Sequence, residues 1–240
     1  MSWLEGRAAI VTGAGRGIGR ATALAMAARG ARVTLAARDS RALDMAVEEI
    51  RSNGGMGEAF ECDVGDAEQV GALFDHAEHA FAPVTALVCG AGVLIKGGIA
   101  DLSDEEWNRT LATNLTGAFL CCRRAFRSMR MPAAGEGRIV AISSLSGVYA
   151  TEKFPGLTAY NASKAGLVGL VEGIAVDGRE FGISAVSLSP GAVDTEMLRT
   201  ANPALKPGLT PNDVAGVIVT VLEDLLPASS GANIPLFSNR

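Results

Sequence analysis

Tyr160 and Lys164 lie on one predicted helix, and their side chains together could move a proton. They are four residues apart, so a helix places them on the same face. A free phenol has a pKa of about 10, so Tyr160 could donate a proton to a developing alkoxide. A neighbouring ammonium is expected to lower that pKa and to ease the reverse transfer. Taken alone, the pair is also typical of a surface helix with a solvated lysine.

A glycine-rich segment at residues 12–19 supplies a second chemical feature. It reads TGAGRGIG and falls between a short apolar run at 8–11 and an apolar helical pattern that ends at Gly30. Glycines at such a place allow a tight turn and let backbone N–H groups approach a pyrophosphate at a helix N-terminus. Glycine is common in any tight turn, but the strand–turn–helix setting predicts a dinucleotide site.

The charges near this turn favour one dinucleotide over another. A free ribose 2′-hydroxyl calls for a carboxylate after the second strand, whereas a 2′-phosphate calls for cations. The second strand is followed by Arg38 before Asp39, and Arg16 lies inside the glycine turn. Two guanidinium groups suit a phosphate, so we predict NADP(H), with NAD(H) as the alternative. Asp63 is a candidate partner for the adenine or a helix N-cap.

Strands alternate with helices along the chain, which predicts an α/β fold: a single doubly wound Rossmann domain over residues 1–240 with helices on both faces of a parallel sheet. Thr210 and Pro211 are predicted to open the last helix as N-cap and first helical residue. The predicted strands are 8–11, 31–36, 57–62, 84–89, 138–143, 183–188 and 232–236. The predicted helices span about 18–30, 39–51, 66–81, 103–129, 159–180 and a segment from 211.

Composition excludes several classes of protein. The chain has 240 residues, 48% of them apolar and 20% charged, as in a globular protein. The net charge of −5 argues against nucleic acid as a partner. No apolar run reaches the roughly 18 residues of a membrane span, and no secretory leader is evident. The four cysteines lack CxxC spacing, which predicts free thiols in the cytoplasm. His76 and His79 have no further ligands nearby, so no metal is predicted.

The sequence resembles the short-chain dehydrogenase/reductase family along nearly its whole length, most of all 3-oxoacyl-carrier-protein reductases and related carbonyl reductases. The matching motifs follow the family's order. They are the turn at 12–19, Cys62-Asp63-Val64, Asn114-Leu115-x-Gly117, Ile142-Ser143-Ser144, Tyr160-x-x-x-Lys164, and Pro190-Gly191 followed by Thr195.

The resemblance implies a catalytic set of Asn114, Ser144, Tyr160 and Lys164. Tyr160 would be the general acid, and Ser144 would hold the substrate oxygen, with Ser143 as its rival. Lys164 would hydrogen-bond the nicotinamide ribose, and Asn114 would hold a proton-relaying water. The expected cofactor-binding residues are Gly13, Gly15, Arg16, Gly17, Ile18, Gly19, Arg38, Asp63, Val64, Ala91, Gly92, Tyr160, Lys164, Pro190, Gly191, Val193 and Thr195.

The function expected from this resemblance is NADPH-dependent reduction of a ketone or 3-oxoacyl thioester to a secondary alcohol. Oxidation of a secondary alcohol such as a steroid or polyol is the first alternative, and a non-catalytic nucleotide-binding protein is the second. The partners expected are a small-molecule substrate and further copies of the chain, as a tetramer or dimer. Residues 192–209 would form a mobile lid. An apolar pocket is expected from Leu94, Ile95, Tyr149, Phe154, Met197 and Leu198.

Three departures from the family pattern stand out. Cys89-Gly90-Ala91-Gly92 replaces Asn-Asn-Ala-Gly, so asparagine contacts that brace the sheet are lost. Tyr160 follows Ser144 at a longer spacing than is common, which predicts a lengthened loop at 147–154. The C-terminal residues 236–239 differ from the family's Val-Asp-Gly-Gly, which puts its subunit contacts in doubt.

Overall fold

Seven short strands pair into one parallel sheet. The computed structural model describes residues 2–81, 83–131, 134–225 and 228–238. In these residues the strands are β1 (Ala8–Thr12), β2 (Arg32–Ala37), β3 (Met56–Glu61), β4 (Val84–Cys89), β5 (Gly137–Ile142), β6 (Ile183–Pro190) and β7 (Asn233–Leu236).

The order of the strands across the sheet is β3-β2-β1-β4-β5-β6-β7. The order reverses between β1 and β4, and a doubly wound sheet binds its ligands outside the carboxyl ends of the strands at this point. Thr12, the last residue of β1, pairs with Ala36 of β2 and with Cys89 of β4. The predicted doubly wound fold is confirmed.

Eight helices connect the strands within the described ranges. They are α1 (Gly17–Ala27), α2 (Ser40–Ser52), α3 (Ala67–Phe81), α4 (Asp104–Leu111), α5 (Gly117–Met129), α6 (Thr158–Gly178), α7 (Glu196–Ala201) and α8 (Pro211–Thr220). The N-cap Thr210 and the first-turn Pro211 of α8 are as predicted, and Ser103 starts α4 with a capping box.

Two helical segments have features that the sequence did not predict. The predicted helical stretch is helical from Asp104 to Met129, and a π-helical turn at Ala112–Thr116 lies within it, between α4 and α5. Such a turn inserts one extra residue and is often found at functional sites. The predicted lid contains the short helix α7, which the sequence reading did not anticipate. Its N-cap is Thr195, whose hydroxyl accepts a hydrogen bond from Leu198 N.

Apolar residues cover both faces of the sheet. Val11 faces the layer that contains Met26 and Ile218, whereas its neighbour Ile10 faces the layer that contains Phe74 and Leu167. This alternation is the two-residue period of a strand buried on both sides. All four cysteines are free and buried, in agreement with the prediction. Within the described ranges, the helices are too short or too polar to cross a membrane.

Candidate active site

The glycine turn between β1 and α1 lies against the end of β4. Gly13 has a φ of 68°, and a Cβ on it would lie 2.6 Å from the carbonyl oxygen of Gly90. A Cβ on Gly90 would in turn lie 2.7 Å from the carbonyl oxygen of Thr12. Both positions therefore require glycine, because any other residue would force the two strand ends apart.

The turn leaves the start of α1 open to an anion. Arg16 occupies the N-cap position with an extended backbone and provides no side-chain cap. The first turn of α1 also carries no acidic residue. The first N–H groups of a helix have no partner within it and carry partial positive charge. The structure therefore fits the pyrophosphate of a dinucleotide here.

A cavity of about 1180 Å³ extends from the glycine turn to Tyr160 and Lys164. Every residue predicted to bind the cofactor lines it, and so does Ser144. Of the predicted apolar residues, Leu94, Tyr149, Phe154, Met197 and Leu198 also line the cavity, whereas Ile95 does not. The structure thus brings the two predicted chemical features, the turn and the Tyr–Lys pair, to one space.

The carboxylates near the predicted adenosine end have structural partners. Asp39 caps α2 by accepting a hydrogen bond from Ala42 N at 3.0 Å. Asp63 accepts one from Gly65 N at 2.9 Å. Asp63 does not cap α3, because Asp66 accepts the first N–H groups of that helix. Arg38 is exposed and takes part in none of the ion pairs found in the described residues.

Arg16 has a partner that the sequence reading missed. Its guanidinium pairs with the carboxylate of Glu196, the first residue of α7. Both side chains are largely exposed. The two residues are separated by most of the chain, so no local pattern signals the contact.

Lys164 is pinned to the end of β5. It is buried, and its Nζ donates a hydrogen bond to the carbonyl oxygen of Ile142 at 2.8 Å. Burial lowers the pKa of Lys164 to about 8, and the nearby Cys89 thiol opposes this shift. The ammonium form therefore still predominates at neutral pH.

Tyr160 lies one helical turn before Lys164 and is also buried. The lysine Nζ is 5.7 Å from the centre of the tyrosine ring. Burial raises the pKa of Tyr160, and a hydrogen bond with Ser144 opposes this only in part. The net shift in the pKa of Tyr160 is therefore upward, not downward as expected, because desolvation outweighs the influences that favour the phenolate. The phenol is therefore protonated at neutral pH.

The two candidate serines differ in their contacts. The hydroxyl of Ser143 is buried and donates to the carbonyl oxygen of Lys164 at 2.8 Å, which fastens α6 to the end of β5. Ser144 is more exposed, interacts with the Tyr160 hydroxyl and accepts a hydrogen bond from Ser146 N at 3.1 Å. This geometry favours Ser144 over Ser143 as the ligand of a substrate oxygen.

Asn114 lies behind the cavity, in the π-helical turn. Its amide exchanges two hydrogen bonds with the backbone of Val93 and donates a third to the hydroxyl of Ser163, next to Lys164. Asn114 therefore couples the loop after β4 to α6. A Cβ on Gly92 would lie 3.5 Å from Asn114 Oδ1 and 3.7 Å from Lys164 Nζ, so glycine keeps a space open between them. The predicted water on Asn114 stays a prediction.

Thr12 braces the loop that departs from the family pattern. Its hydroxyl accepts hydrogen bonds from Gly90 N at 3.1 Å and Ala91 N at 3.3 Å, and donates to Val88 O. These bonds hold the end of β4 next to β1 although the family's asparagines are missing.

Two further supports of the cavity were not predicted. Lys153 Nζ is held by the carbonyl oxygens of Leu145 and Val148 and by the hydroxyl of Thr151. In the C-terminal tail, Ser238 Oγ accepts a hydrogen bond from Ala192 N at the start of the lid. Each contact joins residues whose roles depend on the folded loops, so the sequence carried no local signal for them.

Comparison with known proteins shows the family to which the chain belongs. The sequence profile described as short chain dehydrogenase matches residues 7–206. The chain is 34% identical to a 3-oxoacyl-[acyl-carrier-protein] reductase of Synechocystis sp., over 91% of this chain and 90% of that protein. It is 33% identical to a D-threitol dehydrogenase of Mycolicibacterium smegmatis, over 96% of this chain and 91% of that protein.

A solved structure of a short chain dehydrogenase is also similar to this chain. The crystal structure of a short chain dehydrogenase from Burkholderia cenocepacia in complex with NADP superposes with a TM-score of 0.89 at 29% sequence identity, covering 98% of each chain. This chain therefore belongs to the short chain dehydrogenase family of oxidoreductases, which bind a nicotinamide dinucleotide and act on a carbonyl or an alcohol.

Proposed function

We propose that this enzyme reduces a ketone or a 3-oxoacyl thioester to a secondary alcohol, with NADPH as cofactor. The observation that carries the proposal is the state of Tyr160. Its phenol is buried, has a raised pKa and contacts Ser144 at the inner part of the cavity that the glycine turn opens. A protonated phenol in that place is suited to donate a proton to a reduced carbonyl oxygen.

Three side chains of the protein, described next, would take part in the reaction. The hydroxyl groups of Ser144 and Tyr160 bind the substrate oxygen, and Tyr160 gives it a proton. A bound nicotinamide would supply the hydride. The Lys164 ammonium is held against Ile142 O, and its other two N–H donors are available to a ribose hydroxyl. Its positive charge near the ring also favours the phenolate that remains after proton donation.

The preference for NADPH rests on the charges at the adenosine end of the cavity. Arg38 is exposed and presents a guanidinium to this part of the cavity. Asp39 is engaged as the cap of α2, so it is a poor partner for a ribose 2′-hydroxyl. The NADP complex of the Burkholderia relative supports the same assignment.

Oxidation of a secondary alcohol is the alternative that a specific observation favours. The D-threitol dehydrogenase of Mycolicibacterium smegmatis is similar over nearly the whole chain. The same residues would act in reverse, with the Tyr160 phenolate as base. Because burial raises the pKa of Tyr160, oxidation would be strongly favoured by alkaline pH, whereas reduction would not.

The proton donor can be tested by replacing Tyr160 with phenylalanine. NADPH-dependent reduction of a panel of ketones and 3-oxoacyl thioesters should fall by a factor of about 10² to 10⁴, while the Kd of NADPH stays nearly unchanged. Tyr149→Phe is the matched control, since it keeps the ring that lines the cavity and removes only the hydroxyl of a side chain that is 96% exposed, and it should retain activity. Full activity in Tyr160→Phe would refute the proposal, and loss of NADPH binding would assign Tyr160 a structural role.

The cofactor preference has its own test. The double variant Arg16→Ala, Arg38→Ala should weaken NADPH by about tenfold or more, because a charge-assisted hydrogen bond contributes about 1.5–3 kcal/mol. The Kd of NADH should change much less. Equal losses for both cofactors, measured by fluorescence titration, would contradict the assignment.

A further inference from the structure

The two ends of the predicted lid, residues 192–209, are hydrogen-bonded to each other. Val193 pairs with Leu209, and Asp194 N donates to Leu209 O at 2.8 Å. Gly208 N donates to Ala192 O at 3.2 Å. The lid is therefore a loop whose two ends are fastened to each other, with α7 between them.

Helix α7 is also fastened to both walls of the cavity. At its start, Glu196 pairs with Arg16 of the glycine turn, and Thr195 lies 3.4 Å from where a Cβ on Gly17 would be. At its end, the carbonyl oxygen of Ala201 accepts a hydrogen bond from Lys96 Nζ at 2.8 Å. Two of these three contacts, those made by Glu196 and Thr195, involve residues expected to bind the cofactor.

We propose that Glu196 is a specificity-determining residue for the cofactor, because it competes with the 2′-phosphate of NADPH for Arg16. The inference rests on the proposed NADPH preference. If Arg16 stays with Glu196, a bound 2′-phosphate lacks this guanidinium as a partner. If Arg16 turns to the phosphate, the lid loses its ion pair with the glycine turn. In both cases Glu196 reduces the affinity for NADPH relative to NADH.

The exposure of the Arg16 and Glu196 side chains limits how much Glu196 can change the affinity for NADPH. The side chains of Arg16 and Glu196 are 74% and 63% exposed, so water and salt screen their attraction. Exposed ion pairs change an equilibrium by about fivefold at most. Removing the carboxylate should therefore tighten NADPH about two- to fivefold and leave NADH nearly unchanged.

The test compares the Kd of NADPH and NADH in the full-length protein at low and high salt. Glu196→Gln should lower the Kd of NADPH alone, and the gain should shrink at high salt. Glu152→Gln is the matched control: it also removes an exposed carboxylate that lines the cavity, and Glu152 makes no ion pair in the described ranges. It should change neither Kd.

Repeating Glu196→Gln in an Arg16→Ala background separates competition from general electrostatics. The gain in NADPH affinity should disappear there, since no guanidinium remains to be released. A gain of the same size would overturn the inference, as would no gain in the wild-type background. Wild-type protein that prefers NADH, or an Arg16→Ala variant with an unchanged NADPH/NADH ratio, would refute the proposed cofactor preference as well.

Discussion

A buried cation lies near each end of the parallel strands, at what we call the amino edge and the carboxyl edge of the sheet. The two cations differ in the number of their hydrogen-bond partners. At the amino edge, Arg138 is 6% exposed and lies 4.1 Å from the centre of the Trp3 ring, which Arg7 covers at 4.2 Å. Arg138 also donates to the backbone carbonyl oxygens of Leu222 and Glu223. At this edge the cation is surrounded by acceptors.

At the carboxyl edge, Lys164 is just as buried but has less support. Among the described residues its Nζ donates one hydrogen bond, to Ile142 O. An ammonium has three donors, so two remain for a ligand. Arg138, with three hydrogen bonds, stabilises the fold, whereas Lys164, with one, keeps donors available for binding and chemistry.

Replacing Arg138 should strongly destabilise the protein. Arg138→Met removes a cation from a buried site and leaves the carbonyl oxygens of Leu222 and Glu223 without their donor. It should lower the free energy of unfolding by about 3 kcal/mol, measured by urea denaturation. The kcat and KM of the molecules that remain folded should not change.

Arg127→Met provides the control, because Arg127 is exposed on α5. It should change stability by less than about 0.5 kcal/mol. A large fall in kcat for Arg138→Met, with little loss of stability, would show that the amino edge is not purely structural.

A smaller effect is expected in the pH dependence of stability. The pKa of Lys164 is about 8 in the folded protein and about 10.4 in an unfolded chain. Between these values the unfolded chain binds more protons, so this residue makes stability rise with pH. The rise should be about 1–2 kcal/mol from pH 7.5 to 9.5.

Lys164→Met should lack that rise, which urea denaturation at the two pH values would measure. The other titrating groups are the same in both proteins, so the difference between them isolates the lysine. An identical pH dependence in the two proteins would mean that Lys164 titrates normally, and the contrast between the two edges would then lose its main support.

The sequence was sufficient to predict the parts of the site that depend on local spacing. The pair Tyr160 and Lys164 is set by one turn of a helix. The glycines of the turn at 12–19 follow directly from a strand that leads into a helix. These features need only short stretches of chain, and the structure has both in the elements expected.

The parts that sequence reading missed depend on contacts between distant segments. Glu196 meets Arg16 only after the whole sheet has formed, and Ser238 reaches the lid only because β7 lies beside β6. The sign of the shift in the Tyr160 pKa was also missed, because burial of the hydroxyl depends on tertiary packing. Spacing along the chain gives residue types and faces but no measure of desolvation.

A further small effect is expected in the loop between Ser144 and Tyr160. Lys153 Nζ lies 2.6 Å from Val148 O, 2.8 Å from Thr151 Oγ1 and 3.2 Å from Leu145 O. Ala150, inside this loop, has a φ of 59°, which is strained for a residue other than glycine. An exposed cation therefore holds a strained loop that carries part of the cavity wall.

Lys153→Met should release this loop and raise the KM for the best carbonyl substrate about two- to fivefold, because an exposed charged hydrogen-bonding group contributes about 1 kcal/mol or less. The kcat and the Kd of NADPH should stay nearly constant, since Ser144 and Tyr160 have their own supports. Lys153→Arg should have a KM closer to the wild-type value than that of Lys153→Met. Because Lys153 is exposed, its loss should cost far less stability than that of Arg138. A fall in stability as large as that of Arg138→Met would instead place this loop with the structural edge of the sheet.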